Sequence, residues 1–324
     1  MQVMGCWRGL LACALLLGAG AAWAKCTSVV TAPAAFGSLN STQVRSTVQM
    51  ASSTNSGLQC SGSVLSVLSS TDSFKIRITA TSSGLVGPTG DVIPYTLYAD
   101  ATTSYPITRG SAFEYRSTGI LDLLGLLNGT PKNVPLYMRT QVGSNVAAGV
   151  YQETLNVEWT WDYCEGIGLG GFCIGRDTGS GSKTLTVSLT VTNDCQITTP
   201  DISFASAPVV AGFATVSQNL SVSCTKGSVY TVGLDDGKNV AGGRRRMKSA
   251  ANNYLAYDIF KSAGAQRWGS VGAARRASAE ADVNPGTGTG TGSQVFNYNA
   301  RVYTDQATPP AGSYADSVIL DVQF

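Results

Sequence analysis

The chain has 324 residues, a net charge of +2 and only 13% charged side chains, a balance too even to build a field for nucleic acid. It contains no histidine, which excludes Ser-His-Asp and Cys-His catalysis and removes the commonest metal ligand. We therefore expect a protein that is not an enzyme, with no cofactor, no metal site and no nucleic-acid partner.

Residues 1–24 read as a secretory signal: Arg8 is the only charge, Leu10 to Ala22 is apolar, and Ala22-Trp23-Ala24 is a small-x-small cleavage site. The apolar run falls short of the roughly 20 residues that span a bilayer. Lys25 then opens the mature chain, and Cys6 and Cys13 leave with the signal. Six cysteines remain, and an even number in an exported chain implies disulfides.

Short stretches alternate in period two, among them Val64–Leu68 and Phe74–Ile78, with turn residues between them. Ile120–Leu127 is the best helical pattern, a short helix or turn under a loop. Residues 151–161 and 183–193 make the arms of a long antiparallel hairpin. Its second arm sets Leu185, Val187, Leu189 and Val191 against Thr184, Thr186, Ser188 and Thr190. Between the arms, Cys164 and Cys173 bracket a Gly-rich tip. Leu220–Ser223 and Tyr230–Leu234 continue the strand pattern.

The two halves repeat one another. Cys26, Ala35-Phe36-Gly37 and Cys60 match Cys195, Ile202-Ser203-Phe204 and Cys224. Tyr95–Asp100 matches Tyr257–Ser262, and Leu136–Gln141 matches Asn299–Thr304. Gly149–Trp161 matches Gly312–Phe324. The expected fold is all-β, with two immunoglobulin-like sandwiches over 25–194 and 195–324. The repeat pairs Cys26 with Cys60 and Cys195 with Cys224, leaving Cys164 for Cys173. Closing each repeated loop is worth roughly 3–4 kcal/mol in the chain-entropy picture.

The copies differ at the end. The first is closed by its arm at 183–193, whereas nothing follows Phe324. Val318, Leu320, Val322 and Phe324 then face a groove that lacks its covering strand. Four missing apolar side chains amount to roughly 6–12 kcal/mol of burial, comparable with the about 5–15 kcal/mol of a whole domain. The C-terminal sandwich is expected to be incomplete and to take a strand from outside. A sandwich whose edge strand happens to be C-terminal is the alternative.

The second half resembles the spore coat protein U domain family, which includes subunits of archaic, Csu-type chaperone–usher pili. The resemblance rests on Cys195 and Cys224, Tyr230–Gly237, Arg246-Met247, Leu255–Phe260, Trp268-Gly269 and Gly312–Asp316. Residues 26–194 match as a divergent copy. The resemblance implies a periplasmic chaperone, an outer-membrane usher and a next pilin subunit as strand donor. Lys25-Cys26 leaves no room for a donor segment, so the expected protein accepts a strand and gives none. That describes a tip adhesin, exported through the periplasm to the pilus tip at the cell surface and serving attachment and biofilm formation. Residues 26–194 would bind and 195–324 would be the pilin domain. A self-complete secreted coat protein is the alternative.

The family implies binding through exposed apolar loops, to a receptor or surface the sequence does not name. Ile167, Leu169 and Phe172 in the hairpin tip are the first candidates, to bind or else to cover the sandwich end. Leu85 and Val86 are the second. Trp159 and Trp161 offer rings for a sugar or line one sheet face. Arg244–Lys248 reads as a solvated turn, Gly286–Gly292 as a flexible loop and Asp235–Gly237 as a turn.

Overall fold

The computed structural model describes residues 26–30, 32–52, 56–60, 71–118, 132–169 and 172–324. The signal, Val64–Leu68 and Ile120–Leu127 lie outside the described residues. The first unit comprises β1 (Cys26–Val30), β2 (Ala34–Asn40), α1 (Ser41–Ser46), β3 (Met50–Ser52), β4 (Ser56–Cys60) and β5 (Ser73–Ala80). It continues through β6 (Leu85–Val86), β7 (Val92–Ile93), β8 (Tyr95–Tyr98), β9 (Pro106–Ile107) and β10 (Ala112–Glu114). It closes with β11 (Lys132–Asn133), β12 (Tyr137–Thr140), β13 (Gly149–Leu169) and β14 (Phe172–Thr192). The second unit holds β15 (Cys195–Thr198), β16 (Val216–Cys224), β17 (Thr231–Leu234), β18 (Arg245–Ser249) and β19 (Tyr254–Lys261). Then come β20 (Arg276–Ala277), β21 (Gln294–Val302), β22 (Tyr314–Ala315) and β23 (Leu320–Gln323).

Alternation decides which faces pack. In β5, Phe74, Ile76 and Ile78 are fully buried while Lys75 and Arg77 point outward. In β14, Leu185, Val187, Leu189 and Val191 are buried, as their period-two spacing requires. The main sheet of the first unit runs β10-β5-β13-β14-β2 and shares one core with β3-β12-β8-β9 and β1-β4-β11. The second unit pairs a sheet β15-β16-β21-β19-β18-β22 with a short sheet β20-β17-β23 around its own core. The fold is thus all-β, with two immunoglobulin-like sandwiches.

The hairpin differs from its expected form. Its arms do not stop at Trp161 and begin again at Lys183; each runs unbroken for 21 residues. A bulge between Cys164 and Ile167 is the single shift in their register. Gly179 and Gly181, which look like strand breakers, are opposite Trp161 and Trp159. A Cβ on Gly179 would come within 2.5 Å of the Trp161 ring, and one on Gly181 within 2.4 Å of Ser28 Oγ. Glycine here marks close approach rather than a turn. Both tryptophans are buried, and Trp161 Nε1 donates to Asp177 Oδ2 at 3.0 Å, so their rings belong to the core and not to a sugar site.

Cys164–Cys173 and Cys195–Cys224 are bonded. Cys26 is also disulfide-bonded, and the strand register sets it across from Cys60. Arg244–Lys248 is not a solvated turn, since most of it forms β18. Arg245 is wholly buried there and donates to Asp258, which Arg267 and Tyr303 also reach. Leaving Asp258 without Arg245 would strand a buried charge, which costs about 3–5 kcal/mol.

The glycine-threonine loop 286–292 has a structural place as well. Asn145 Nδ2 donates to Thr289 O at 2.9 Å, and Arg45 donates to Gly290 O. Ser41 Oγ meets Thr225 Oγ1 at 2.7 Å, and Lys226 Nζ reaches Asp91 Oδ1 at 2.5 Å. Its glycines fit close approach: a Cβ on Gly290 would run into Asn145 Oδ1 of the first unit, and one on Gly288 would sit 2.4 Å from Thr225 O.

Asp91 gives this joint a pH dependence. Burial pushes its carboxyl up, but hydrogen bonds from Lys226, the Ala147 amide and Thr89 outweigh that and hold it below its ordinary 3.8. A lowered folded value means the contribution is complete at neutral pH and is lost as pH falls through that value. We expect spin-label distances across the joint to broaden only once pH falls below the ordinary carboxyl value of 3.8. Asp91→Asn should broaden them already at pH 7. An unchanged distribution in the variant would show that the pair contributes nothing to the joint.

Candidate functional site

The repeat reappears as paired side-chain geometry. In the first unit, Phe36 packs edge-on against Tyr95, with ring centroids 6.0 Å apart at 69°. In the second, Phe204 packs against Tyr257 at 5.7 Å and 68°. The fifth residue of each repeated strand is an acid next to that tyrosine. Glu153 is its form in the first unit, and Asp316, which accepts from Tyr257 Oη at 2.9 Å, in the second. What differs is the cover. In the first unit, β14 lies antiparallel to β13 and parallel to β2 and seals the space between them.

In the second unit that space is an open groove of about 460 Å³. One wall is the segment 199–204, with Ile202 and Phe204; the other is Tyr314–Val318 with Leu320. Leu220, Leu234, Met247, Ile259 and Tyr298 form its floor. Among the described residues β23 pairs with β17 alone, which leaves its other edge open there. Burial pushes the Tyr257 phenol far above its ordinary value, and the neighbouring Asp316 carboxylate adds to this. Tyr257 therefore stays protonated and donates.

Polar contacts hold the groove's C-terminal wall in place. Asp235 Oδ1 accepts from the Ile319 amide at 2.8 Å, and the Asp235 amide donates to Ile319 O at 2.9 Å. Arg275 pairs with Asp321 at 2.8 Å and also donates to Thr231 O and Oγ1. Asp316 accepts from the Lys238 amide at 2.9 Å. Gly237 makes that approach possible, because a Cβ there would lie 2.1 Å from Asp316 Oδ2. The run Asp235–Gly237 is thus a turn with a task, and Asp236 pairs with Arg267.

Of the four expected groove residues, two, Val318 and Leu320, line the groove. Val322 packs on the core of the same unit, and Phe324 does neither, being 57% exposed. β17 begins at Thr231, whose partner is Gln323, so no rung of the ladder remains to hold the next residue inward. The bonds that Arg275, Asp235 and Asp316 make escaped the sequence reading. Asp235 was legible there only as part of a turn, and Asp316 only as the acid matched to Glu153 in the repeated strand.

The second candidate site is the hairpin end. Ile167 and Leu169 lie on β13 and Phe172 on β14, with Leu169 paired to Phe172 in the backbone ladder; their side chains lie outside the described residues. The described base is firmly tied. Cys164 N donates to the buried Asp72 at 3.1 Å, and Arg176 donates to Thr71 O at 2.8 Å. The hydrogen bond from Arg176 also holds the Asp162 carboxyl below its usual range. Leu85 is corrected: it is fully buried, paired with Ile93, and belongs to the core. Val86 is 39% exposed, but it pairs with Gln152 near the start of β13. That is the end of the sheet toward the joint, far from the hairpin tip.

An all-β chain of two such sandwiches, one sealed by its own strand and one open, belongs to a recognisable class. The family model described as Spore Coat Protein U domain matches residues 13–158 and 182–321. The chain belongs to this family. No curated protein matches it. Among solved structures it is similar to a chain of the CsuC–CsuE chaperone–tip adhesion subunit pre-assembly complex, from archaic chaperone–usher Csu pili of Acinetobacter baumannii. That match has 25% identity and a TM-score of 0.62, and covers 93% of this chain and 100% of that one. The CupB6 tip adhesin of Pseudomonas aeruginosa overlaps at 12% identity and a TM-score of 0.29, over 92% and 93% of the two chains. So low an overlap adds nothing to the fold assignment.

Arg275→Met should free β23 from β17 while keeping side-chain volume. We expect a loss of roughly 1–3 kcal/mol, the cost of orphaning buried hydrogen-bonding groups. Hydrogen exchange at the Val322 and Gln323 amides should rise before that of β21. Unchanged exchange in β23 would show that the ladder alone holds the strand.

Proposed function

We propose that this protein is the tip adhesin of an archaic chaperone–usher pilus, acting in attachment and biofilm formation by binding rather than by catalysis. The observation that carries the reading is the contrast between the two copies. Phe36, Tyr95 and Glu153 are buried where β14 completes the sheet, whereas Phe204, Tyr257 and Asp316 line an open groove. A groove with an apolar floor beside a free strand edge is suited to an added strand, whose backbone would pair with β23 and whose side chains would fill the floor. The second unit, 195–324, is then the pilin domain. It takes a strand first from a periplasmic chaperone and, after passage through an outer-membrane usher, from the next pilin subunit. The similarity to a chaperone–tip adhesion subunit complex supports the first of these partners.

The first unit, 25–194, is the binding domain. Its hairpin arms of 21 residues rise about 3.3 Å per residue, roughly 65 Å in all. They start at the joint with the second unit and end at Leu169 and Phe172, so the far end of the molecule is the hairpin tip. The protein works at the cell surface, with the tip of this hairpin outermost.

Two experiments test the reading. Exported alone, the full chain should be degraded or aggregate; exported with its chaperone it should accumulate as a one-to-one complex. A stable, soluble monomer made alone would favour a self-complete coat protein instead. Separately, replacing Ile167, Leu169 and Phe172 together by Ser should reduce attachment about tenfold or more at unchanged pilus number, as the loss of a few apolar anchors does. Val86→Ser should leave attachment as it was. Unimpaired attachment in the triple variant would remove the hairpin tip from the binding site.

A further inference from the structure

The groove is not uniformly apolar, and the internal copy shows what its acid requires once covered. Glu153 lies on β13 beside β14, directly across from Val187, at 4% exposure. It is neutralised there by a two-pronged bond from Arg109 at 2.7 and 2.8 Å, with Ser82 Oγ at 2.8 Å. Asp316 holds the matching place in the open groove. It has two neutral donors, Tyr257 Oη and the Lys238 amide, and among the described residues no Lys or Arg side chain pairs with it. Asp201 lines the same groove from the opposite wall. A strand laid in as β14 is laid over β13 would cover Asp316 as Glu153 is covered. Burying an unpaired carboxylate is costly, and the second unit has no counterpart of Arg109 aimed at this acid.

We propose that the strand completing the second unit is an alternating apolar strand with a Lys or Arg at the position facing Asp316. In the register of the first unit, this is the place held by Val187. The cation does for Asp316 what Arg109 does for Glu153, and the acid selects strands that bring it. The inference rests on the donor-strand reading of the groove and specifies the chemistry of the donor.

The test uses the full chain purified as its chaperone complex and three synthetic peptides spanning 183–193, each offered in excess to take the chaperone's place: the native segment, its Val187→Lys form and its Val187→Glu form. Binding is read by fluorescence anisotropy of labelled peptide. The Lys form should bind about tenfold more tightly than the native segment, and the Glu form more weakly. The advantage of the Lys form should shrink as salt is raised and fall below about twofold on Asp316→Asn, which removes the charge but keeps a carbonyl acceptor for the Lys238 amide. If the native and Lys forms bind equally, selection by Asp316 is overturned while the donor-strand reading stands. If no peptide binds, the groove is not a strand site and both readings fail. The ranking of the three peptides on the unaltered chain decides the matter even if the Asp316→Asn protein does not fold.

Discussion

A β-sandwich holds together only where each apolar face is covered, and one strand position decides whether that condition is met here. The position lies between the strand that begins Gly-x-Tyr and the segment that carries the repeated phenylalanine. In the first unit β14 occupies it, pairing with β13 on one side and β2 on the other. Leu185, Val187, Leu189 and Val191 are consequently buried. In the second unit the flanking residues are present, but the space between them is open. Burial of a few such side chains is comparable with the net stability of a domain. The same sequence logic thus yields one sandwich sealed by its own strand and one whose groove stays open.

The rest of the architecture serves to separate the two consequences. The strand that seals the first unit is also one arm of its long hairpin, so closure and reach come from a single element. Along that ribbon Gly179 lies so close to the Trp161 ring that no side chain would fit there. At the other end of the sheet, the loop 286–292 and Lys226 meet Arg45, Asn145 and Asp91. Those contacts are polar and many are to backbone, as expected where two preformed units meet rather than where one core continues.

Much of this was legible in the sequence. Strands such as β5 and β14 announce themselves by alternation, and the repeat locates both the matching cysteines and the unequal ends. What escaped depended on long-range contact. Gly179 and Gly181 look like breakers until the partner strand brings Trp161 and Trp159 against them. Arg245 sits in a run of charges that reads as solvated, yet one of its neighbours in space is the buried Asp258, 13 positions away. Leu85 and Val86 look alike in sequence, and only the pairing with β7 and β13 shows which faces the core. Phe324 keeps the parity of its strand but lies one residue past the end of β17's ladder. Local pattern fixes parity; it does not show where a partner stops.

The open groove poses a final physical question, namely what keeps its free wall from collapsing onto the floor. Apolar contacts alone would favour collapse, since they are non-directional and reward any closure. Here the wall is held by directional bonds instead. Asp235 takes both the amide and the carbonyl of Ile319, Arg275 grips Asp321, and Tyr257 with the Lys238 amide fixes Asp316. Each bond places the backbone of 316–321 without using the apolar faces of Val318 and Leu320. Polar groups therefore set the position of the strand, and the apolar faces of Val318 and Leu320 are left lining the open groove. This division of labour lets the wall keep its shape without closing on the floor.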